Sequence, residues 1–164
     1  FRACEWLCEL DEFKRADTVM LFLAMPKEID TSHAILQALQ QDKTVLVPVV
    51  AWQERQLTPV VIHTLNCAME ISRYGLRNPT STETLELSEI DLVVAPGLGF
   101  DLNANRIGRG GGFYDRFLAD EQLKTVRCGF GFEDQVMDQL PVYEHDAKMH
   151  MLVTDQQVRR FSET

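Results

Sequence analysis

The stretch Asp91–Leu118, DLVVAPGLGFDLNANRIGRGGGFYDRFL, decides how the rest of the chain is read. Its opening, with Glu89 and Ile90 before it (EIDLVVA, Glu89–Ala95), is predicted as a strand, because a short continuous apolar run suits a strand buried on both faces. Pro96 and Gly97 end that run. Gly108–Gly112 reads as loop, and Phe113–Ala119 has helical spacing. Strand, glycine-rich loop and helix in this order put the loop beyond the carboxyl end of a strand, where open α/β sheets bind ligands.

The same alternation recurs on both sides. Phe1–Arg15 is predicted as the end of an amphipathic helix, with Trp6, Leu7, Leu10 and Phe13 on one side. Thr18–Met25 (TVMLFLAM) is a buried strand stopped by Pro26. Asp30 and Thr31 are cap-type residues ahead of a helix over Ala34–Leu39. Thr44–Val50 (TVLVPVV) is a second strand, in which Pro48 signals an edge or an irregularity. Leu65–Ile71 fits strand or helix, and Arg77–Thr84, carrying Pro79, reads as loop. Val126–Phe130 is a strand; Leu152–Thr154 is the last, followed by a short helix from Asp155. Strands alternating with helices predict an α/β architecture with a mostly parallel sheet.

Bulk properties narrow the function classes. The 164 residues suit one domain, and 45% hydrophobic with 25% charged residues is ordinary for a soluble globular protein. No apolar run is long enough to span a bilayer, and no signal peptide is recognisable. A formal net charge of −9 argues against a nucleic-acid partner, whose phosphate backbone calls for a basic surface. Cys4, Cys8, Cys67 and Cys128 do not complete a zinc set, and are expected to be buried and reduced.

A small anion is compatible with that charge if a local cluster opposes the global field. Gly108, Gly110, Gly111 and Gly112 allow backbone conformations that turn several amides toward one anion. The helix from Phe113 adds its unpaired N–H groups, and Arg106 and Arg109 supply charge-assisted bonds to phosphate oxygens. Asp115 has two readings, a carboxylate favourable near a helix N-terminus or a ligand for Mg²⁺ bridging to phosphate. No Gly-Lys-Ser/Thr follows the glycines, and their spacing does not match a dinucleotide fingerprint. A glycine-rich turn without special function stays open on spacing alone.

Pro96–Leu118 (PGLGFDLNANRIGRGGGFYDRFL) resembles the signature of the 5-formyltetrahydrofolate cyclo-ligase family, also called 5,10-methenyltetrahydrofolate synthetase. The family pattern is close to PGLAFD, a short spacer, then NRLGRGGGYYDRFL. Leu23–Leu36 (LAMPKEIDTSHAIL) and Gln139–Asp155 (QLPVYEHDAKMHMLVTD) are similar to two further family segments, in the same order. The resemblance implies a single α/β domain over residues 1–164 with a Rossmann-like, mostly parallel sheet flanked by helices. It implies ATP- and Mg²⁺-dependent conversion of 5-formyltetrahydrofolate to 5,10-methenyltetrahydrofolate, releasing ADP and phosphate. The implied setting is a cytoplasmic monomer with no nucleic-acid or membrane partner.

Carried over motif by motif, Arg106, Ile107, Gly108, Arg109, Gly110, Gly111, Gly112, Phe113 and Tyr114 would bind ATP, with Arg109 and Tyr114 catalytic. Met25, Glu28, Asp30, Tyr74, Arg109 and Gly110 would bind the folate, Tyr74 by stacking. Asp115 and Asp146 would be the metal residues. Set against the family pattern, the chain is expected to lack the N-terminal basic helix, and Asn78, rather than an acid, stands before Pro79. The alternative is a paralogue with altered chemistry that acts as a nucleotide- or folate-binding module.

Overall fold

Side chains that alternate between two apolar layers fix the central sheet of the computed structural model, which describes residues 1–72, 75–144 and 146–162. The strands are β1 (Thr18–Met20), β2 (Thr44–Ala51), β3 (Gln56–Ile62), β4 (Met69–Ile71), β5 (Arg77–Pro79), β6 (Leu92–Ala95), β7 (Gly99–Asp101), β8 (Arg106–Ile107), β9 (Val126–Phe130), β10 (Val136–Met137), β11 (Met151–Val153) and β12 (Val158–Arg160). The helices are α1 (Arg2–Glu9), α2 (Asp11–Arg15), α3 (Ser32–Gln40) and α4 (Phe113–Leu118). Val19, Val45, Val47, Leu92 and Val94 point into one layer with α1, α2 and α3. Met20, Leu46, Val93 and Ala95 point into the other, under Phe117 and Leu118 of α4. This period of two is what a strand buried on both faces requires.

The main sheet has seven strands in the order β12-β11-β9-β6-β1-β2-β3. β2, β1, β6, β9 and β11 run parallel, while β3 and β12 close the two edges antiparallel. The mixed α/β class with a mostly parallel sheet is therefore observed. The order of connection reverses between β1 and β6, and this crevice is where doubly wound sheets bind ligands. Two smaller sheets, β10-β7-β8 and β4-β5, flank it. No helix among the described residues is long and apolar enough to cross a membrane.

Several local expectations are corrected. The single N-terminal helix is two, broken where Leu10 is extended (φ −62°, ψ 139°). The break re-aims α2, so that both Leu7 and Phe13 are fully buried while Trp6 remains half-buried. The apolar run after Thr18 pairs in the sheet only to Met20; Leu21–Leu23 stay buried as the chain leaves the ladder. Pro48 lies in an interior strand, but β1 pairs only with Thr44–Leu46, so no ladder bond on that side is lost.

Arg77–Pro79 is a strand, β5, paired with β4 in a two-stranded ribbon that tolerates a terminal proline. No helix follows Asp155 among the described residues. The Thr154 hydroxyl accepts the amides of Gln156 and Gln157, which turns the chain back to pair as β12. All four cysteines are free, but only Cys4 and Cys128 are buried.

Candidate active site

A cleft of about 730 Å³ opens at the carboxyl ends of β1 and β6. Phe22, Leu23, Met25 and Glu28, from the segment after β1, form one wall. Pro96, Gly97 and the whole of Arg106–Asp115 form the facing wall. Pro48, Val50 and Trp52 from β2 and its hairpin, Leu76 and Arg77 at β5, and Pro141, Tyr143 and Asp146 complete the rim.

Asp101 anchors the entry to the glycine loop. Its carboxylate, fully buried, accepts the amides of Asn103, Asn105 and Leu140 and the Asn105 side chain. These bonds outweigh burial and hold the carboxyl below its usual range. Gly97 leaves room for the Phe100 ring and the Arg106 stem, which a Cβ there would meet at 2.9 and 3.1 Å. The anchored turn thus delivers Arg106 to the cleft floor.

Arg106 is buried, and its Nη1 donates to the Pro96 carbonyl at 2.8 Å. Nη2 lies 3.7 Å from Asp115 Oδ1, and the guanidinium sits 5.3 Å from the centroid of the Tyr114 ring. Burial pulls its pKa down and the Asp115 charge opposes that pull. Burial also pushes the Tyr114 phenol up, so it stays a neutral donor. Among the described residues, neither Arg106 Nε nor the Tyr114 hydroxyl has a hydrogen-bond partner. Two buried donors without acceptors in one cleft suit an anionic ligand.

Gly110 (φ 92°) and Gly112 (φ 69°) adopt the left-handed conformation that side chains disfavour. The loop is exposed at Arg109 and Gly110, and no hydrogen bond or ion pair engages Arg109 among the described residues. α4 spans six residues, one fewer than the helical spacing over Phe113–Ala119 predicted.

Asp115 and Asp146 both line the cleft, and both charges act on Arg106. Asp115 Oδ1 receives the Ala147 amide at 3.4 Å, and Asp146 Oδ2 receives the Tyr143 amide at 2.8 Å. Each keeps an oxygen outside these bonds. No group of three or more His, Cys, Asp or Glu that could hold a metal occurs among the described residues. Such a pair is short of a zinc site but fits Mg²⁺, which takes one or two carboxylates and completes its shell with water and phosphate.

Of the other predicted residues, Met25 and Glu28 line the cleft. Glu28 Oε1 accepts the Met25 amide at 2.9 Å, and burial raises its pKa against that bond and the Arg109 charge. Asp30 does not line the cleft. Its carboxylate accepts the Ser32 amide and hydroxyl, fixing the start of α3. Tyr74 lies outside the described residues.

Sequence reasoning missed Trp52, Arg77 and Tyr143. Trp52 meets Phe113 edge-on at 5.2 Å, and Arg77 donates to the Ala24 carbonyl at 3.1 Å. Trp52 and Arg77 belong to no quoted motif, and Tyr143 stands inside Gln139–Asp155 beside Asp146; only the topology brings these segments to one rim.

Comparison with known proteins fits this geometry. Residues 2–155 match the profile of the 5-formyltetrahydrofolate cyclo-ligase family. A protein of Escherichia coli (strain K12) named 5-formyltetrahydrofolate cyclo-ligase is 33% identical over 147 residues, covering 87% of this chain and 80% of its own. A mouse protein of the same name is 29% identical over 152 residues, covering 85% and 73%. The solved structure of Aquifex aeolicus 5,10-methenyltetrahydrofolate synthetase superposes with a TM-score of 0.82 at 28% identity, covering 99% of this chain and 81% of that one.

Proposed function

The chain belongs to the 5-formyltetrahydrofolate cyclo-ligase family, an enzyme family, and from that premise we propose that it uses ATP and Mg²⁺ to convert 5-formyltetrahydrofolate to 5,10-methenyltetrahydrofolate. One observation carries the reading. A single cleft joins a glycine loop with cations and paired carboxylates to an apolar wall bearing Glu28. The first half suits nucleotide phosphates. The second suits a flat heterocycle whose N–H groups need an acceptor.

In this reaction the formyl oxygen attacks the γ-phosphorus and ADP leaves, giving a phosphorylated imidate. N10 of the folate then attacks the activated carbon. Phosphate departs with the former formyl oxygen, and the N10 proton is released. No covalent nucleophile of the protein is needed; catalysis is positioning and charge neutralisation. Arg109, exposed on the loop, would reach the transferring phosphoryl group. The neutral Tyr114 hydroxyl and Arg106 Nε would donate to phosphate oxygens from the cleft floor. Glu28 would hold the pterin edge. Asp115 and Asp146 would hold Mg²⁺, which when bound neutralises phosphate charge.

The test is to incubate the protein with ATP, Mg²⁺ and 5-formyltetrahydrofolate and follow the methenyl product by its absorbance. The expected result is product formation that requires all three components. Thermal protection by ATP without turnover would instead identify a binding module.

A further inference from the structure

Arg116 stands on α4 behind the glycine loop and joins two segments that lie far apart in the chain. Its Nε and Nη2 donate to the Arg55 carbonyl at 3.2 and 2.8 Å, across a separation of 61 residues. The same Nη2 donates to the Gly111 carbonyl at 2.9 Å. The guanidinium lies 5.5 Å from the centroid of the Phe113 ring, which meets Trp52 of the β2–β3 hairpin. No carboxylate pairs with it among the described residues.

The glycines are cut to fit this brace. A Cβ at Gly112 would lie 2.9 Å from Arg116 Nη1, and one at Gly111 would lie 2.5 Å from the Phe113 ring. Gly112 therefore serves two ends, a left-handed turn and room for the guanidinium. A planar fork can bond two carbonyls and stack on a ring at once, which an ammonium cannot.

We propose that Arg116 is a positioning residue. It clamps the Gly111 carbonyl to the Arg55 tip of the hairpin, so that the amides of Gly108–Gly112 keep one arrangement before ATP arrives. It touches neither substrate. The proposal rests on reading the loop as the ATP-phosphate site. A loop held in advance binds more tightly because less ordering is needed on binding.

The experiment compares wild type, Arg116→Ala and Arg116→Lys by steady-state kinetics and by trypsin cleavage at Arg109–Gly110 in ligand-free protein. In Arg116→Ala, KM for ATP rises about tenfold with kcat and KM for the folate changed less than about twofold, as for lost ground-state binding. Tryptic cleavage at Arg109 speeds up by roughly tenfold, because the loop opens more often. Arg116→Lys falls between the two, and carries the comparison alone if the alanine variant does not fold. Unchanged cleavage, or an equal loss for both substrates, overturns the proposal. Faster cleavage in a protein whose wild type shows no turnover leaves the brace standing and removes the cyclo-ligase reading.

Discussion

Arg106 and Asp115 face each other at 3.7 Å across the floor of the cleft, with side chains only 3% and 18% exposed. One carboxylate thus has two partners to satisfy, a buried guanidinium and, in the proposed function, a metal ion. Asp115→Asn should lower turnover and raise the Mg²⁺ concentration needed for it. It should also destabilise the protein by about 1–3 kcal/mol, because a buried cation loses its counter-charge. Denaturant unfolding and Mg²⁺ titration of the rate check the two halves separately. Full stability with intact Mg²⁺ dependence would remove Asp115 from both roles.

Arg109 is the opposite case, exposed on the loop, with no hydrogen bond or ion pair among the described residues and only its charge felt at Glu28. Arg109→Ala should leave unfolding free energy within about 0.5 kcal/mol of wild type. It should reduce kcat/KM for ATP by roughly a hundredfold, the scale of losing one donor to a developing oxyanion. Steady-state kinetics with ATP varied is the measurement.

Glu28 should show opposed effects on stability and binding. Its folded pKa is raised by burial, so its contribution is complete below the unfolded pKa and is lost as pH rises through the folded one. At neutral pH the buried charge is a net cost. Glu28→Gln keeps an acceptor for the Met25 amide and should stabilise the ligand-free protein by about 0.5–1 kcal/mol at pH 7. That gain should fade toward pH 4, while KM for the folate rises about tenfold for the lost charge-assisted bond. Thermal melts across pH, beside folate kinetics, test both.

Glu133 should dominate the acid limb of stability. The Arg159 guanidinium, with Thr154 and Gln157, holds its carboxyl down at about 2. A depressed pKa gives stability that is present above the unfolded value, near 4.3, and lost as pH falls toward 2. Wild type should lose up to roughly 3 kcal/mol over that window from this group. Glu133→Gln should start less stable and respond less to acid. Parallel curves for the two proteins would show that the pair is not the acid-labile element.

The central frame was legible because buried parallel strands announce themselves as continuous apolar runs, as in Leu92–Ala95 and Val126–Phe130. Edge elements were not. β3 carries Pro59, β5 ends in Pro79, and β12 holds Arg159 and Arg160, so none reads as a strand by itself. The glycine loop could be read as a candidate anion nest because its parts are contiguous. Spacing could not tell that Arg106 is tied inward to Pro96 while Arg109 is left outward. Nor could it place Trp52, whose position depends on a hairpin formed elsewhere.

The cleft draws on residues from Phe22 to Asp146 and opens between β1 and β6, parallel neighbours that no local hairpin can join. A nascent or half-folded chain therefore has no partial version of it. Non-local pairing is the slow part of folding, so competence to bind arrives last and all at once. Ligand occupancy then becomes a readout of completed folding, and substrate in the cell selectively protects finished molecules from unfolding and proteolysis.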